Sequence, residues 1–489
     1  MYASVLAATQ VGIEPRPVVV EAHGKGSGRS RFSIVGLPDT AVREAAERVR
    51  SAVTAAGARL PKDVLVNLAP GDLRKEGSTY DLPIALAAVR SEGAEGGPPM
   101  VSAGELALDG TVRGTRNALA AALVSARAGV PCLLPDEAAP VAGLVPDADI
   151  RLVGSLAEAI AVSREGGGRV PVDRPSAPTE PGVDLASVRG QDDARRALEI
   201  AAAGGHHLLL IGPPGTGKSL LASCLPGILP RLEPDEALAS ALVWAAAGEH
   251  RDDPTLPPFR APHHSASSAA VLGGGSGMPV PGEASRAHMG ILHLDELGEF
   301  PAHLLDALRQ PLEEGAVTIA RRSASVRFPS RFQLVASTNP CPCGHLGDRR
   351  RACTCGPGQL ERYRRRLSGP IVDRIDVRVV VGQPATEELV GAPGEDTASV
   401  RDRVLSARAR QQARGCTNRA LGRPQLDALA FERAAVVLLR RALDAGRLSG
   451  RGYDRVRRVA RTIGDLAESD VVAEQHVAEA LSFRGDDVD

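Results

Sequence analysis

Aromatic residues are scarce in this chain of 489 residues: Phe, Trp and Tyr together make up 2% of it. Its core must therefore be built from Ala, Val, Leu and Ile, and no aromatic platform for binding single strands by base stacking is visible. An excess of one charge is missing too. Lys and Arg number 58 against 59 Asp and Glu, a formal net charge of −1. The molecule is no polycation, so any nucleic-acid surface has to be local. Arg far outnumbers Lys and Ala is abundant, a bias that makes arginine richness weak evidence for nucleic acid. No apolar run reaches about 18 residues, so no transmembrane helix is expected. The first residues, Met1-Tyr2-Ala3-Ser4-Val5-Leu6, lack the basic start and long apolar stretch of a signal peptide. A cytoplasmic protein without a membrane partner is expected. Hydrophobic content of 43% and charged content of 24% are ordinary for a soluble globular protein. The length allows roughly two to four domains at about 100–200 residues each.

Strand and helix patterns fill the first 165 residues. Val18–Ala22, Ser33–Leu37 and Asp63–Leu68 read as strands, and Ala41–Ala56 has helical spacing that Asp39 or Thr40 can cap. Leu82–Val89 reads as a helix entered through Asp81 and Pro83. Residues 166–182 are rich in Gly and Pro and predict a linker. Residues 183–390 carry nucleotide motifs, and 391–489 are helical by pattern. No internal repeat is visible.

Leu208-Leu209-Leu210-Ile211 is a short apolar run of the kind buried in parallel sheets. Gly212-Pro213-Pro214-Gly215-Thr216-Gly217-Lys218-Ser219 follows at once, and Lys218-Ser219-Leu220-Leu221-Ala222 opens a helix. Strand, glycine loop and helix in that order form a phosphate cradle: glycines let backbone N–H groups turn to phosphate oxygens, and the helix N-terminus adds partial positive charge. Lys218 is expected on the β and γ phosphates of ATP and Ser219 on Mg²⁺. The apolar strand Gly290–Leu294 ends in Asp295 and Glu296, read as the Mg²⁺ anchor and the base that polarises the attacking water. A third strand, Phe332–Thr338, ends in Asn339, placed to orient that water or sense the γ phosphate; a strand-capping Asn is the plainer alternative.

Four of the seven cysteines, Cys341, Cys343, Cys353 and Cys355, fall within fifteen residues. In a reducing compartment such a cluster points to metal rather than disulfides. Two C-x-C pairs can close a tetrahedral Zn²⁺ site, although C-x₂-C is the usual knuckle; free or redox-active thiols are the alternative. The expected role is structural, pinning a loop between Asn339 and Arg374. His263 and His264 lack two further ligands nearby and read as loop or interface histidines.

The loop, Leu294–Phe300 and Ser337-Thr338-Asn339-Pro340-Cys341-Pro342-Cys343-Gly344 resemble the ComM/YifB family of magnesium-chelatase-like AAA+ proteins. Phe259-Arg260-Ala261-Pro262-His263-His264-Ser265, Ser368–Asp376, Tyr453–Ile463 and Lys75–Ile84 match as well, so the resemblance covers essentially the whole chain. It implies a multidomain α/β protein. A Lon-protease-like (ribosomal S5 domain 2-like) α/β domain is expected over 1–165, an AAA+ P-loop α/β core with a parallel sheet over 183–390, and a C-terminal helical lid over 391–489. It also implies a homo-hexameric ring in which Arg374 completes a neighbour's site, and a second sensor arginine at Arg458, with Arg455 the near alternative. A solvated helix face is the plainer reading for these arginines.

The resemblance further implies DNA, with ComM-type members acting as ring helicases that drive branch migration during natural transformation. Residues 349–378 add nine arginines against three acids, a local basic stripe able to meet phosphates. Val317–Phe328 alternates like two strands about a polar tip, a hairpin that faces the pore in related rings; Arg321 and Arg322 are the candidates for DNA contact, an ordinary exposed hairpin the alternative. In the first domain the resemblance to Lon puts Thr79 at the nucleophile position and Leu119 near the position of the catalytic lysine. No lysine occurs between 76 and 162, so a non-proteolytic domain is expected. A chelatase-type or protein-remodelling ATPase that does not act on DNA is the alternative function.

Overall fold

The chain opens with two strands of alternating burial. Ala3, Val5 and Ala7 of β1 (Tyr2–Val11) turn into the core, as do Val18, Val20 and Ala22 of β2 (Glu14–Lys25), and the two strands pair antiparallel. The computed structural model describes residues 1–26, 30–93, 97–167, 182–275, 278–321, 325–348, 351–367 and 371–484. Strands β3 (Arg31–Val35), β4 (Asp63–Ala69) and β5 (Val101–Ser102) follow, then a short hairpin of β6 (Glu105–Leu106) and β7 (Val112–Arg113), then β8 (Cys132–Pro135) and β9 (Ile150–Val153). Seven of them form one mixed sheet in the order β3-β4-β2-β1-β5-β8-β9. Helices Thr40–Ala55, Asp81–Arg90 and Leu156–Glu165 share one core with it, and Ala118–Ala128 contributes to another. Asp39 caps the first helix by accepting from the Val42 N–H at 2.8 Å.

The chain divides into two compact units, and the first is not simply its beginning. It comprises Met1–Ala177 together with Glu233–Pro254. Helix Pro234–Ala246 lies within the stretch read from sequence as ATPase core. Its Leu238, Ala241 and Leu242 nevertheless pack with Ala118–Val124, and the Leu242 carbonyl accepts from Gln10 Nε2 at 2.6 Å.

The second unit comprises Pro178–Leu232 and Thr255–Asp489. Its strands are β10 (Leu208–Ile211), β11 (Phe259–Arg260), β12 (Gly273–Gly274), β13 (Val280–Pro281), β14 (Ile291–Leu294), β15 (Ala316–Ala320), β16 (Ser325–Pro329), β17 (Gln333–Thr338) and β18 (Val377–Val380). Five form a wholly parallel sheet in the order β11-β14-β17-β10-β18. All of β14 and β17 is buried, as strands covered on both faces must be. The predicted hairpin forms as β15–β16, with Ala316 opposite Pro329 and Ala320 opposite Ser325. Arg321 is exposed at the end of β15, while Arg322 lies outside the described residues.

Helices Thr397–Ala413, Arg433–Asp444, Gly450–Leu466 and Glu474–Ser482 complete this unit. Their Val404, Leu439, Val459 and Val477 belong to the same core as Leu208, Leu210 and Val335 of the sheet. These four helices therefore share one core with the parallel sheet. A buried polar cluster joins the two. Asp376, one residue before β18, accepts from the His207 N–H at 3.1 Å and pairs with Arg419 and Arg455, each at 3.7 Å. Burial opposes its ionisation, but His206, His207 and Arg419 outweigh that and hold Asp376 well below the usual carboxylate range. The expected linker falls outside the described residues from 168 to 181. No helix among the described residues is long and apolar enough to cross a membrane.

Candidate functional site

Parallel strands deliver their loops to one edge of a sheet, and ligands of open α/β sheets gather there. Gly212 follows β10, Asn339 follows β17, Asp295 follows β14 and Ala261 follows β11, and these are four neighbouring strands. Residues that are 127 positions apart in the chain thus meet at one edge because of strand order alone.

The glycine-rich loop Gly212–Ser219, the candidate phosphate cradle, is shaped by close backbone approaches. A Cβ on Gly212 would stand 2.1 Å from the Val381 carbonyl oxygen, so only glycine lets β10 and β18 run out side by side. Gly217 caps helix Lys218–Ile228 at φ 87°, a left-handed conformation that side chains resist. Thr216 Oγ1 donates to the Pro213 carbonyl at 3.0 Å. Lys218 is buried, and its Nζ donates to the carbonyls of Gly212 and Pro213, both at 2.8 Å, and to Asn339 Oδ1 at 3.3 Å. Burial lowers its pKa, with Asp295 and Glu296 opposing the shift. Gly215 and Pro214 form the exposed crest of the loop.

Ser219 Oγ donates to Asp295 Oδ2 at 2.7 Å, and Ser337 Oγ donates to Asp295 Oδ1. Burial disfavours the charged form of Asp295, but the hydroxyls of Ser337 and Ser219 outweigh it, so its pKa falls below the ordinary aspartate value. A hydroxyl and an ionised carboxylate side by side suit a hard divalent cation such as Mg²⁺. Glu296 adopts φ 55°, ψ 52°, a strained setting for a non-glycine residue and the kind that clusters at functional sites.

Beside this pair lies a cavity of about 380 Å³, lined in part by Ser219, Asp295, Glu296, His263 and His264. His264 Nδ1 stands 3.3 Å from Glu296 Oε2, and the two histidine rings lie 4.0 Å apart. In the sequence these histidines read as loop or interface residues. They reach the site because β11 is the neighbour of β14, and a two-residue strand leaves almost no signal in sequence.

The predicted arginines divide. Arg374 ends a short turn, Val372–Arg374, and pairs with Glu313. Burial, then Arg309, Arg451 and Arg455, lower its pKa. Arg458 donates from Nε and Nη2 to the Leu421 carbonyl, at 3.0 and 2.8 Å, and Arg455 faces Asp376. Lys218, Ser219, Asp295 and Asn339 are thus assembled within the chain. The four cysteines also converge: the sulfurs of Cys341, Cys343, Cys353 and Cys355 all lie within 4.8 Å of one another.

In the first unit Thr79 is buried, and Leu119 sits in the apolar core that includes Ala118–Val124. Lys75, fully buried, donates to the Pro70 carbonyl, and desolvation lowers its pKa.

Comparison with known proteins finds relatives along almost the whole chain. Residues 184–389 match the family described as magnesium chelatase, subunit ChlI; residues 20–138 match subunit ChlI of Mg-chelatase; and residues 394–484 match the C-terminal part of that subunit. Uncharacterized protein YifB of Escherichia coli is 41% identical over 98% of this chain and 96% of its own length. Uncharacterized protein Rv2897c of Mycobacterium tuberculosis is 42% identical over 97% and 96%. Competence protein ComM of Haemophilus influenzae is 40% identical over 99% and 97%. The magnesium-chelatase 38 kDa subunit of Rhodobacter capsulatus is 30% identical over only 34% of this chain. The chain belongs to the magnesium-chelatase-like AAA+ family that includes YifB and ComM.

Proposed function

We propose that this chain is an ATP-hydrolysing motor that assembles as a homo-hexameric ring and remodels branched DNA. The observation that carries the ATPase reading is the convergence of Lys218, Ser219, Asp295 and Asn339 at the ends of three adjacent parallel strands. Gly212–Ser219 would cradle the phosphates, with Lys218 exchanging loop carbonyls for phosphate oxygens. Ser219 and Asp295 would hold Mg²⁺, which would neutralise charge developing on the transferred phosphoryl group. Glu296 would take a proton from the attacking water, which Asn339 orients. Arg374 would reach the γ phosphate of a neighbouring subunit, where a guanidinium fork matches spread negative charge. We place Arg458 in a lid-positioning role through Leu421 and leave Arg455 on Asp376.

DNA is favoured as substrate by the likeness to a competence protein and by the basic stripe of 349–378. The hairpin β15–β16, with Arg321 and Arg322, would meet the backbone in the pore. The first unit is read as Lon-like in fold and non-proteolytic, since Leu119 offers no base. Zn²⁺ is assigned to the four cysteines. The cytoplasm is the expected compartment. The test is strand exchange on a four-way DNA junction with ATP. Product formed by the wild type and lost in Lys218→Ala supports the motor; equal activity in both sinks it. A chelatase-type or protein-remodelling role would leave the junction intact.

A further inference from the structure

Cys341 and Cys343 lie in the turn after β17, and Cys353 and Cys355 immediately precede helix Pro357–Leu367. Cys341 and Cys343 sulfurs are 3.4 Å apart, Cys341 and Cys353 3.7 Å, and Cys343 and Cys353 3.6 Å. Thiolates held at about 2.3 Å from a tetrahedral Zn²⁺ stand about 3.8 Å from one another, so these separations are those of a tetrahedron's edges. Three of the sulfurs accept backbone N–H groups: Cys341 from Leu346 at 3.3 Å, Cys355 from Cys343 at 3.3 Å and Cys353 from Cys355 at 3.4 Å. Such donors orient metal-binding thiolates and offset their charge.

The cluster is tied to the nucleotide site at three points. Cys341 follows Asn339 by two residues, and Asn339 Oδ1 accepts from Lys218. Gly344, in the same turn at φ 81°, lies against the phosphate loop: a Cβ there would stand 2.6 Å from Pro214 Cδ and 2.9 Å from its Cγ. Beyond the last cysteine, Tyr363 donates from its hydroxyl to the Asn339 carbonyl at 3.0 Å, and a Cβ on Gly298 would meet its ring at 2.8 Å. The chain from 340 to 363 therefore leaves the site at Asn339 and returns to it at Tyr363. Closing the stretch between the two cysteine pairs costs conformational entropy, which a cross-link through the four thiolates would lower.

We propose that one Zn²⁺ ion on Cys341, Cys343, Cys353 and Cys355 braces the phosphate loop and Asn339, so that metal occupancy sets nucleotide affinity. The inference rests on the ATPase reading for its nucleotide arm and on the sulfur geometry for its metal arm.

The experiment measures zinc by mass spectrometry and ATP affinity with a fluorescent ATP analogue, on full-length protein purified without chelator. Wild type and Cys416→Ser are expected to carry one zinc per chain and to bind alike. Cys343→Ser/Cys353→Ser is expected to lose the metal and to bind ATP roughly tenfold more weakly. Gly344→Ala keeps all four thiolates and is expected to retain zinc yet bind ATP more weakly, because its methyl group collides with Pro214. This second arm decides the matter if the double variant does not fold. Wild type without zinc, or loaded with iron instead, overturns the metal assignment. Unchanged ATP affinity in Gly344→Ala overturns the brace. A wild type that carries zinc but binds no ATP overturns the brace and the ATPase reading together while leaving the metal site standing; Lys218→Ala, with zinc retained and ATP binding lost, separates the two.

Discussion

The chain has only four lysines, at 25, 62, 75 and 218, among 54 arginines. Lys218 is the one in the phosphate loop, where a compact ammonium must fit among carbonyls at 2.8 Å; a guanidinium does not replace it there. Glu296 and His264 show what the same scale hides from sequence. The Asp295-Glu296 pair could be read after its apolar strand, but nothing in a loop histidine announces that its ring will stand 3.3 Å from that glutamate. If His264 aligns Glu296 on the attacking water, His264→Ala lowers kcat about tenfold, some 1.4 kcal/mol of barrier, and leaves ATP affinity unchanged. Steady-state kinetics alongside equilibrium binding measure this split. Weakened binding with kcat intact would assign His264 to nucleotide contact instead.

Strands and their loops make the site, and their legibility varied with length and neighbour. β10, β14 and β17 were readable because buried parallel strands are apolar runs and because a glycine loop or an acid pair marks their ends. β11 was not, since two residues carry no period. Helix Pro234–Ala246 follows helix Lys218–Ile228 in sequence, and its apolar positions say that it packs but not on which sheet. The tight exit of β10 and β18 predicts that Gly212→Ala costs about 1–3 kcal/mol through overpacking and raises the Kd for ATP, read by thermal melting and nucleotide titration. A variant matching wild type in both would mean that Val381 yields freely.

Buried histidines lie in this sheet and in the turns that lead into it: His293 within β14, His206 and His207 just before β10, and His288 before β14. Burial lowers the pKa of His206, His207 and His293, and it lowers that of His288 to about 4. These side chains bind fewer protons folded than unfolded. Stability is therefore full above the unfolded value near 6.5 and falls as pH drops below it. For His288 the loss is about 1.4 kcal/mol per pH unit until pH approaches 4. Melting temperature is expected to decline steadily from pH 7 to pH 5, and His288→Gln to flatten part of that slope. A Tm rising toward acid pH would contradict it.

At the scale of the molecule, the proposed ring divides each site between two chains. Lys218, Ser219 and Asp295 come from one subunit and Arg374 from the next. The ring rests on a family likeness, because a largely buried arginine paired with Glu313 carries no sign of a partner in its own sequence. Subunit mixing tests it. Lys218→Ala and Arg374→Ala are each expected to be inactive alone. A mixture is expected to regain part of the wild-type rate, since some interfaces then pair an intact loop with an intact arginine. A mixture as inactive as its components would place Arg374 in its own chain's site or outside the chemistry.

The most direct test of the central claim is the ATP hydrolysis rate of the full-length protein with and without a four-way DNA junction. A slow basal rate, a several-fold rise on adding the junction, and no turnover of either kind in Lys218→Ala are expected. Hydrolysis indifferent to DNA, or undiminished by Lys218→Ala, would contradict it.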